Sequence, residues 1–136
     1  MRFLLDTNIL SELGKPRPHS KVVTWMLQHE ANSAIPSIAL AERYQGVMNL
    51  LPGKRREEML RELRALVQEA PERILPFDAL AAEIWGDYVT RPSVKNRPVP
   101  YSDSQIAAIA IAHNLAIVTR NTKDFPDVLT INPFAD

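Results

Sequence analysis

Four acidic residues stand beside apolar segments in different parts of the chain, namely Asp6, Glu42, Asp103 and Asp124. Carboxylates that a fold brings close together repel one another unless they are protonated or bound to a cation. Their oxygens are hard ligands, and a site built from them without cysteine or histidine suits Mg²⁺ or Mn²⁺. The residue types therefore predict a divalent metal site, on the condition that the fold gathers the four acids.

Short apolar strands alternate with helices along the whole chain, which is the arrangement that could gather them. The predicted strands are 2–5, 33–35, 73–75, 116–119 and 128–131. The predicted helices are 7–13, 20–29, 37 to a break at 51–53, 54–69, 78–89 and 102–114, with a loop over 91–100. This alternation predicts a parallel sheet with helices on both faces, a three-layer α/β/α sandwich. At 136 residues we expect one domain, 1–136.

The carboxyl edge of such a sheet is where the acids should meet. Asp6 follows the first strand and Asp124 follows the fourth. Asp103 begins the helix that leads into the fourth strand, and Glu42 lies one turn into the helix after the second. Taken singly, each acid has a structural explanation, such as a helix cap for Asp6 or a favourable first-turn charge for Asp103. Their joint placement favours a metal site.

Three serine or threonine residues are predicted to cap helices. If Asp6 binds a metal ion, Thr7 is left to cap the first helix, and Ser37 is the candidate for the third. Ser102 begins a Ser-Asp-Ser-Gln sequence that matches the capping box. We also expect Leu80 to face the core together with Ile84, Trp85 and Tyr88, and Asn114 to end its helix in the left-handed conformation.

Composition excludes several other kinds of site. Cysteine is absent, so there is no disulfide and no thiolate, and His19, His29 and His113 lack the spacing of zinc ligands. Sixteen basic and sixteen acidic residues give a net charge of zero, so a polyanion must bind through local patches or metal ions. The first apolar run is too short for a secretion signal, and no segment is long enough for a membrane span. We therefore expect a cytoplasmic protein with no membrane partner.

Four stretches of the sequence resemble the successive motifs of PIN-domain ribonucleases. They are Asp-Thr-Asn-Ile-Leu at 6–10, Ser-Ile-Ala-Leu-Ala-Glu at 37–42, Asp-Ser-Gln-Ile-Ala-Ala at 103–108 and Val-Thr-Arg-Asn-Thr-Lys-Asp-Phe at 118–125. The closing Ile-Asn-Pro-Phe at 131–134 is similar to the end of the same family. The resemblance is closest to the VapC/FitB-like toxins of prokaryotic toxin–antitoxin pairs, and it covers nearly the whole chain in order. The turn after 125 lacks the glycine that is often found there.

That resemblance implies a definite fold and activity. The sheet should have the strand order 3-2-1-4-5, and an acidic pocket should bind Mg²⁺ or Mn²⁺ and cleave RNA endonucleolytically. A small antitoxin protein should block the site, within a toxin–antitoxin hetero-oligomer that contains a homodimer of this chain. The amphipathic helices at 20–29 and 54–69 are candidates for the dimer and antitoxin contacts, although the same periodicity suits core packing.

Residue roles carried over by motif complete this expectation. Asp6 and Asp103 would be the direct metal ligands, and Glu42 and Asp124 would complete the acidic quartet. Four residues would support the site through hydrogen bonds: Thr7, Asn8, Thr119 and Asn121. Five basic residues are candidate RNA backbone contacts, although a solubilising role accounts for each equally well: Arg91, Lys95, Arg97, Arg120 and Lys123.

Two alternatives remain at this level. A phosphotransfer or receiver-like protein also places an aspartate after its first strand, but it needs further residues that are missing. Asn8 stands where a dehalogenase-like enzyme has a second aspartate, and Arg120 stands where a receiver would have a lysine. The other alternative is a PIN-like interaction module without catalytic activity.

Overall fold

The computed structural model describes residues 1–135 and is built around a parallel sheet. In that part of the chain the sheet has five strands: β1 (Phe3–Leu5), β2 (Ser33–Pro36), β3 (Ile74–Leu75), β4 (Ala116–Val118) and β5 (Thr130–Ile131). Their order is β3-β2-β1-β4-β5, and every neighbouring pair is parallel. The predicted fold class and strand order are therefore confirmed. Receiver domains have the order 2-1-3-4-5, so the receiver-like alternative is wrong.

Helices cover the sheet and connect its strands. They are α1 (Thr7–Leu13), α2 (Ser20–His29), α3 (Ser37–Met48), α4 (Lys54–Glu69), α5 (Ala79–Thr90), α6 (Pro92–Lys95) and α7 (Tyr101–His113). Short 3₁₀ turns occupy Glu30–Asn32, Pro71–Arg73 and Thr122–Asp124. The segment predicted as a loop contains α6, which Pro92 starts at the first helical position, where a missing N–H costs nothing. None of the described helices is long and apolar enough to cross a bilayer.

The central strand β1 is buried on both faces, as a strand of a parallel sheet between two helical layers should be. Leu4 packs into one cluster with Tyr88 and Ile106, whereas Phe3 and Leu5 belong to a second cluster on the other face. Successive side chains alternate between faces, so three residues are enough to join both layers. Each fully buried leucine contributes about 2 kcal/mol of transfer free energy. This packing fixes the position of the strand end that carries the first acid.

The three predicted helix caps are wrong, and each for a structural reason. Asp6, not Thr7, caps α1, because its Oδ1 accepts the Thr7 N–H at 2.7 Å. The helices α3 and α7 are preceded by Pro36 and Pro100, neither of which makes a side-chain cap bond. The second of these helices begins one residue before Ser102, so that hydroxyl lies inside the first turn.

Other local predictions have mixed outcomes. Tyr88 is fully buried as expected, but Leu80 is 53% exposed, so its predicted inward orientation is wrong. Asn114 ends α7 with φ 54° and ψ 49°, the left-handed conformation that was predicted. The turn after Phe125 places Asp127 at φ 63°, where a glycine would be less strained. The last strand is shorter than predicted and begins at Thr130.

Candidate active site

A cleft of about 390 Å³ opens at the carboxyl ends of β1 and β4. Asp6, Glu42 and Asp103 all line it, although they are far apart in sequence. The backbone brings the first of them into place, because the Asp6 N–H donates to the Val118 carbonyl at 3.0 Å across the two strands. The topology thus gathers three of the four predicted acids in one cavity.

The Asp6 carboxylate is only 4% exposed and is held by three donors. Its Oδ1 accepts the Thr7 N–H at 2.7 Å, and its Oδ2 accepts the Thr119 hydroxyl at 2.8 Å. The Asn8 amide also donates to Oδ2, at 3.2 Å. These bonds come from both strand ends, so the side chain has one fixed orientation toward the cleft.

Thr119 and Asn8 form a small network beneath this carboxylate. The Thr119 side chain is fully buried, and its hydroxyl accepts from the Asn8 amide at 3.3 Å and from the Asn121 N–H at 3.0 Å. The Asn8 Oδ1 in turn accepts the Arg120 N–H at 3.2 Å. The polar residues expected to support the site therefore lie next to Asp6 and join the turns after β1 and β4.

Glu42 connects three helices at the point where it lines the cleft. The Thr7 hydroxyl donates to its Oε1 at 2.6 Å, and the Ser102 hydroxyl reaches its Oε2 at 3.4 Å. Two of the three residues expected to cap helices therefore donate to an acid of the cleft instead. Their bonds turn Glu42, which sits on α3, toward the ends of α1 and α7.

Asp124 lies beside Asp103 at one end of this acidic group and does not line the cleft itself. The pKa of Asp103 is raised to about 7, first by burial and then by the charges of Asp6, Asp124 and Glu42. The contact between the carboxyl groups of Asp103 and Asp124 adds to the rise. Asp103 therefore holds its proton to a higher pH than an ordinary aspartic acid does.

Burial also raises the pKa of Asp6. The Thr119 hydroxyl and the Thr7 N–H lower it, while the charges of Glu42 and Asp124 raise it further. The cleft thus concentrates negative charge that these hydrogen bonds only partly compensate. Within residues 1–135, no group of three or more acids or histidines is arranged to hold a metal ion as it stands. The chemistry of the donors, all carboxylate oxygens, nevertheless fits Mg²⁺ or Mn²⁺.

The five predicted basic contacts occupy different surroundings. Arg120 lines the cleft, with its guanidinium 4.5 Å from the centroid of the Phe134 ring. Arg91 is already engaged, with nitrogens 3.1 Å from Asp87 and 3.7 Å from Asp127. The other three are exposed: Lys95 and Arg97 line a separate cleft with Trp85 and Tyr101, and Lys123 lies on the turn that carries Asp124.

Four residues that line the cleft were not predicted as site residues, and one of them is Ser11 on α1. Glu12 is a buried acid on α1, Lys15 follows that helix, and Phe134 comes from the end of the chain. A sequence signal existed for Glu12, because it lies three residues after buried Ile9 and therefore on the same helix face. Nothing in the sequence pattern placed Lys15 or Phe134 beside the acids.

Comparison with known proteins agrees with this geometry. Residues 3–128 match the family described as PIN domain. The chain is 34% identical to toxin FitB of Neisseria gonorrhoeae, over 98% of this chain and 99% of that protein. It is 33% identical to VapC ribonuclease Y4jK of Sinorhizobium fredii, over 90% of this chain and 89% of that one. The crystal structure of FitAcB from Neisseria gonorrhoeae superposes with a TM-score of 0.89 at 33% identity, over 97% and 98% of the two chains.

Proposed function

The chain belongs to the PIN-domain family, among the VapC- and FitB-like toxins, and from this premise we propose that it is a ribonuclease dependent on a divalent metal ion. The observation that carries the proposal is the meeting of Asp6, Glu42 and Asp103 in one cleft with Asp124 alongside. The neighbouring carboxylates raise the pKa of Asp6 and of Asp103, and a bound cation would remove that repulsion. We further propose that residues 1–136 act as a single domain.

Each acid has a distinct part in this proposal. Asp6 and Asp103 would hold Mg²⁺ or Mn²⁺, with Glu42 and Asp124 completing the set. When bound, such an ion polarises the scissile phosphate, lowers the pKa of a water and stabilises the leaving oxygen. The three hydrogen bonds to Asp6 keep its carboxylate aimed at the cleft, so no ordering of this side chain is needed when the substrate arrives.

A general base is needed to take the proton from the attacking water, and Glu42 or Asp124 would serve. The contacts of Glu42 suit it to the role of general base. The Thr7 hydroxyl holds its Oε1 at 2.6 Å, while its Oε2 has only the longer Ser102 contact at 3.4 Å. One oxygen is thus anchored and the other remains able to accept a proton. Hydrolysis of this kind needs no covalent nucleophile on the protein.

RNA is the proposed substrate, and basic residues near the acids would hold its backbone. Arg120 is best placed, since it lines the cleft itself. Lys95, Arg97 and Lys123 would contact more distant phosphates. Arg91 is a weaker candidate, because its guanidinium already pairs with two aspartates.

A small antitoxin is the proposed partner, since the chain is similar to toxin FitB and to a VapC ribonuclease, and that resemblance implies a small inhibitory protein. We propose a cytoplasmic location, a homodimer of this chain and a hetero-oligomer with the antitoxin. Co-expression with the product of the neighbouring reading frame tests the pairing. The two products should purify together, and the complex should cleave RNA more slowly than the isolated chain; separate elution with undiminished cleavage would contradict the pairing.

Cleavage of single-stranded RNA with Mg²⁺ and with EDTA tests the proposed activity. We expect cleavage only with Mg²⁺, and a loss of about a hundredfold or more in Asp6→Asn, because it removes a ligand of the ion. Glu83→Gln is the matched control, since it removes one negative charge at an exposed position on α5 and should leave the rate unchanged. Full activity in EDTA, or in Asp6→Asn with its fold intact by circular dichroism, would contradict the proposal. Metal binding without cleavage would identify a non-catalytic module.

A further inference from the structure

Glu12 is a buried acid that the proposed mechanism does not use. It is 6% exposed, and its two carboxylate oxygens accept from the Lys15 ammonium and from the His19 N–H, each at 2.9 Å. These two hydrogen bonds lower the pKa of Glu12, so the residue carries its charge at neutral pH. One side chain thus ties both ends of the segment 15–19 to α1.

The backbone of this segment is restricted as well. Pro16 and Pro18 fix their own φ angles, and the Lys15 N–H donates to the Glu12 carbonyl at 3.2 Å. Gly14 lies against Arg43, since an added Cβ would come within 2.9 Å of the guanidinium. The segment therefore presents Lys15 from a defined position.

The same segment contacts the end of the chain across the rim of the cleft. The His19 ring packs edge-on against Phe134, with ring centroids 5.4 Å apart, and Arg120 lies over the same ring. Lys15 and Arg120 thus belong to one continuous wall of the cleft that the acids also line. That wall gives an otherwise acidic cavity two positive side chains.

Lys15 has capacity for a further ligand. Its side chain is 58% exposed, and the carboxylate of Glu12 uses one of the three N–H groups of the ammonium. Each nucleotide of RNA carries a phosphate, so a strand held with one phosphate at the acids has another available to the ammonium of Lys15, which lines the same cleft. A cation there offsets the repulsion between the acidic floor and the RNA backbone.

We propose that Lys15 binds an RNA phosphate next to the one that is cleaved, and that Glu12 is a positioning residue that holds Lys15 and the segment 15–19 for this contact. The inference rests on the proposed function, because it takes RNA as the substrate. It adds to that function a specific anchor for the strand and a role for the buried acid.

Binding and cleavage assays with Lys15→Ala, Lys15→Arg and Glu12→Gln test the inference, with Lys54→Ala as the control. Lys54 is also an exposed lysine, with a side chain 90% accessible, but it lies on α4 outside the cleft. Affinity for a fluorescent single-stranded oligoribonucleotide is measured at several salt concentrations, in Asp6→Asn versions of every variant so that the RNA is not cut. Lys15→Ala should lower the slope of log affinity against log salt by about 0.7, the value for one phosphate contact.

Lys15→Arg should retain the slope, and Lys54→Ala should leave both slope and affinity unchanged. In the cleavage assay with Asp6 intact, Lys15→Ala should raise KM several-fold. Glu12→Gln should raise KM less than Lys15→Ala does and should leave kcat unchanged, because the ammonium remains but is no longer held in place. A purely structural ion pair would lower thermal stability without these effects.

The inference is overturned if Lys15→Ala binds RNA with the salt slope of the parent protein. It is also overturned if Lys54→Ala lowers the salt slope and the RNA affinity as much as Lys15→Ala does. Failure of the proposed function gives a different result, namely no Mg²⁺-dependent cleavage by the wild-type chain. The binding arm does not depend on cleavage, so it decides the Lys15 contact in either case.

Discussion

Asp103→Asn should stabilise the metal-free protein while destroying its activity. The pKa of Asp103 rises from its usual 3.8 to about 7 in the fold. Between these pH values the folded state keeps a proton that the unfolded chain has released, so stability falls as the pH rises through this window. Above pH 7 the folded state carries the full cost of the buried charge. Asparagine has no charge to bury and therefore avoids that cost.

The size of the effect follows from the same shift. About three pKa units correspond to about 4 kcal/mol, which solvent screening of a half-buried group reduces to about 2 kcal/mol. The substitution also removes an acid from the first turn of α7, which lowers the free energy of unfolding by about 0.5 kcal/mol. We expect a net gain of about 1.5 kcal/mol at pH 8 in EDTA, or about 6 °C in Tm.

Urea and thermal unfolding at pH 5 and pH 8, with EDTA or Mg²⁺, measure this effect. Asp103→Asn should be more stable than the wild type at pH 8 in EDTA. This difference in stability should shrink at pH 5, where Asp103 is protonated in the folded state. Mg²⁺ should stabilise the wild type and leave the variant almost unchanged. Glu83→Gln controls for the loss of one charge. A variant no more stable than the wild type at pH 8 in EDTA would refute the electrostatic reasoning.

Three further substitutions test the contacts around the site and the core. Thr119→Val removes a donor to Asp6, so the pKa of Asp6 should rise further. The free energy of unfolding at pH 7 should fall by about 1.5–3 kcal/mol. Tyr88→Phe removes the hydrogen bond from the phenol to the Pro126 carbonyl, and urea unfolding should show a loss of about 1 kcal/mol. Asn114→Ala should lower stability in thermal unfolding by about 1–2 kcal/mol because of its left-handed backbone, whereas Asn114→Gly should not.

A specific result would contradict each of these three predictions. Thr119→Val would contradict the site geometry if its stability matched the wild type at pH 7. Unchanged urea unfolding of Tyr88→Phe would show that the phenol bond contributes nothing. Equal stability of the alanine and glycine variants at Asn114 would remove the role assigned to its backbone conformation.

Much of the fold could be predicted because its signals are local. The strand β1 is an apolar run ended by an acid, and its neighbours repeat the pattern between amphipathic helices. The connection rules for parallel strands then place Asp6, Asp103 and Glu42 at one sheet edge. Those rules depend on the order of elements, so errors of one or two residues at their ends did not matter.

The helix caps and the rim of the cleft could not be predicted in the same way. Ser102 and Thr7 carry cap-like sequences, but their hydroxyls donate to Glu42, which lies 60 and 35 residues away in the chain. Long-range bonds of this kind compete with local ones and leave no periodic signal. Lys15 and Phe134 reach the cleft only because two irregular segments pack against each other.

Binding of Mn²⁺ to the isolated chain is the most direct test of the claim that the acids form one metal site. Calorimetric titration with Mn²⁺ at pH 8 compares four proteins under one condition: the wild type, Asp6→Asn, Asp103→Asn and the control Glu83→Gln. We expect saturable binding in the wild type and the control, and a loss of at least tenfold in affinity in either aspartate variant. Equal affinity in all four proteins, or no binding by the wild type, would contradict the account.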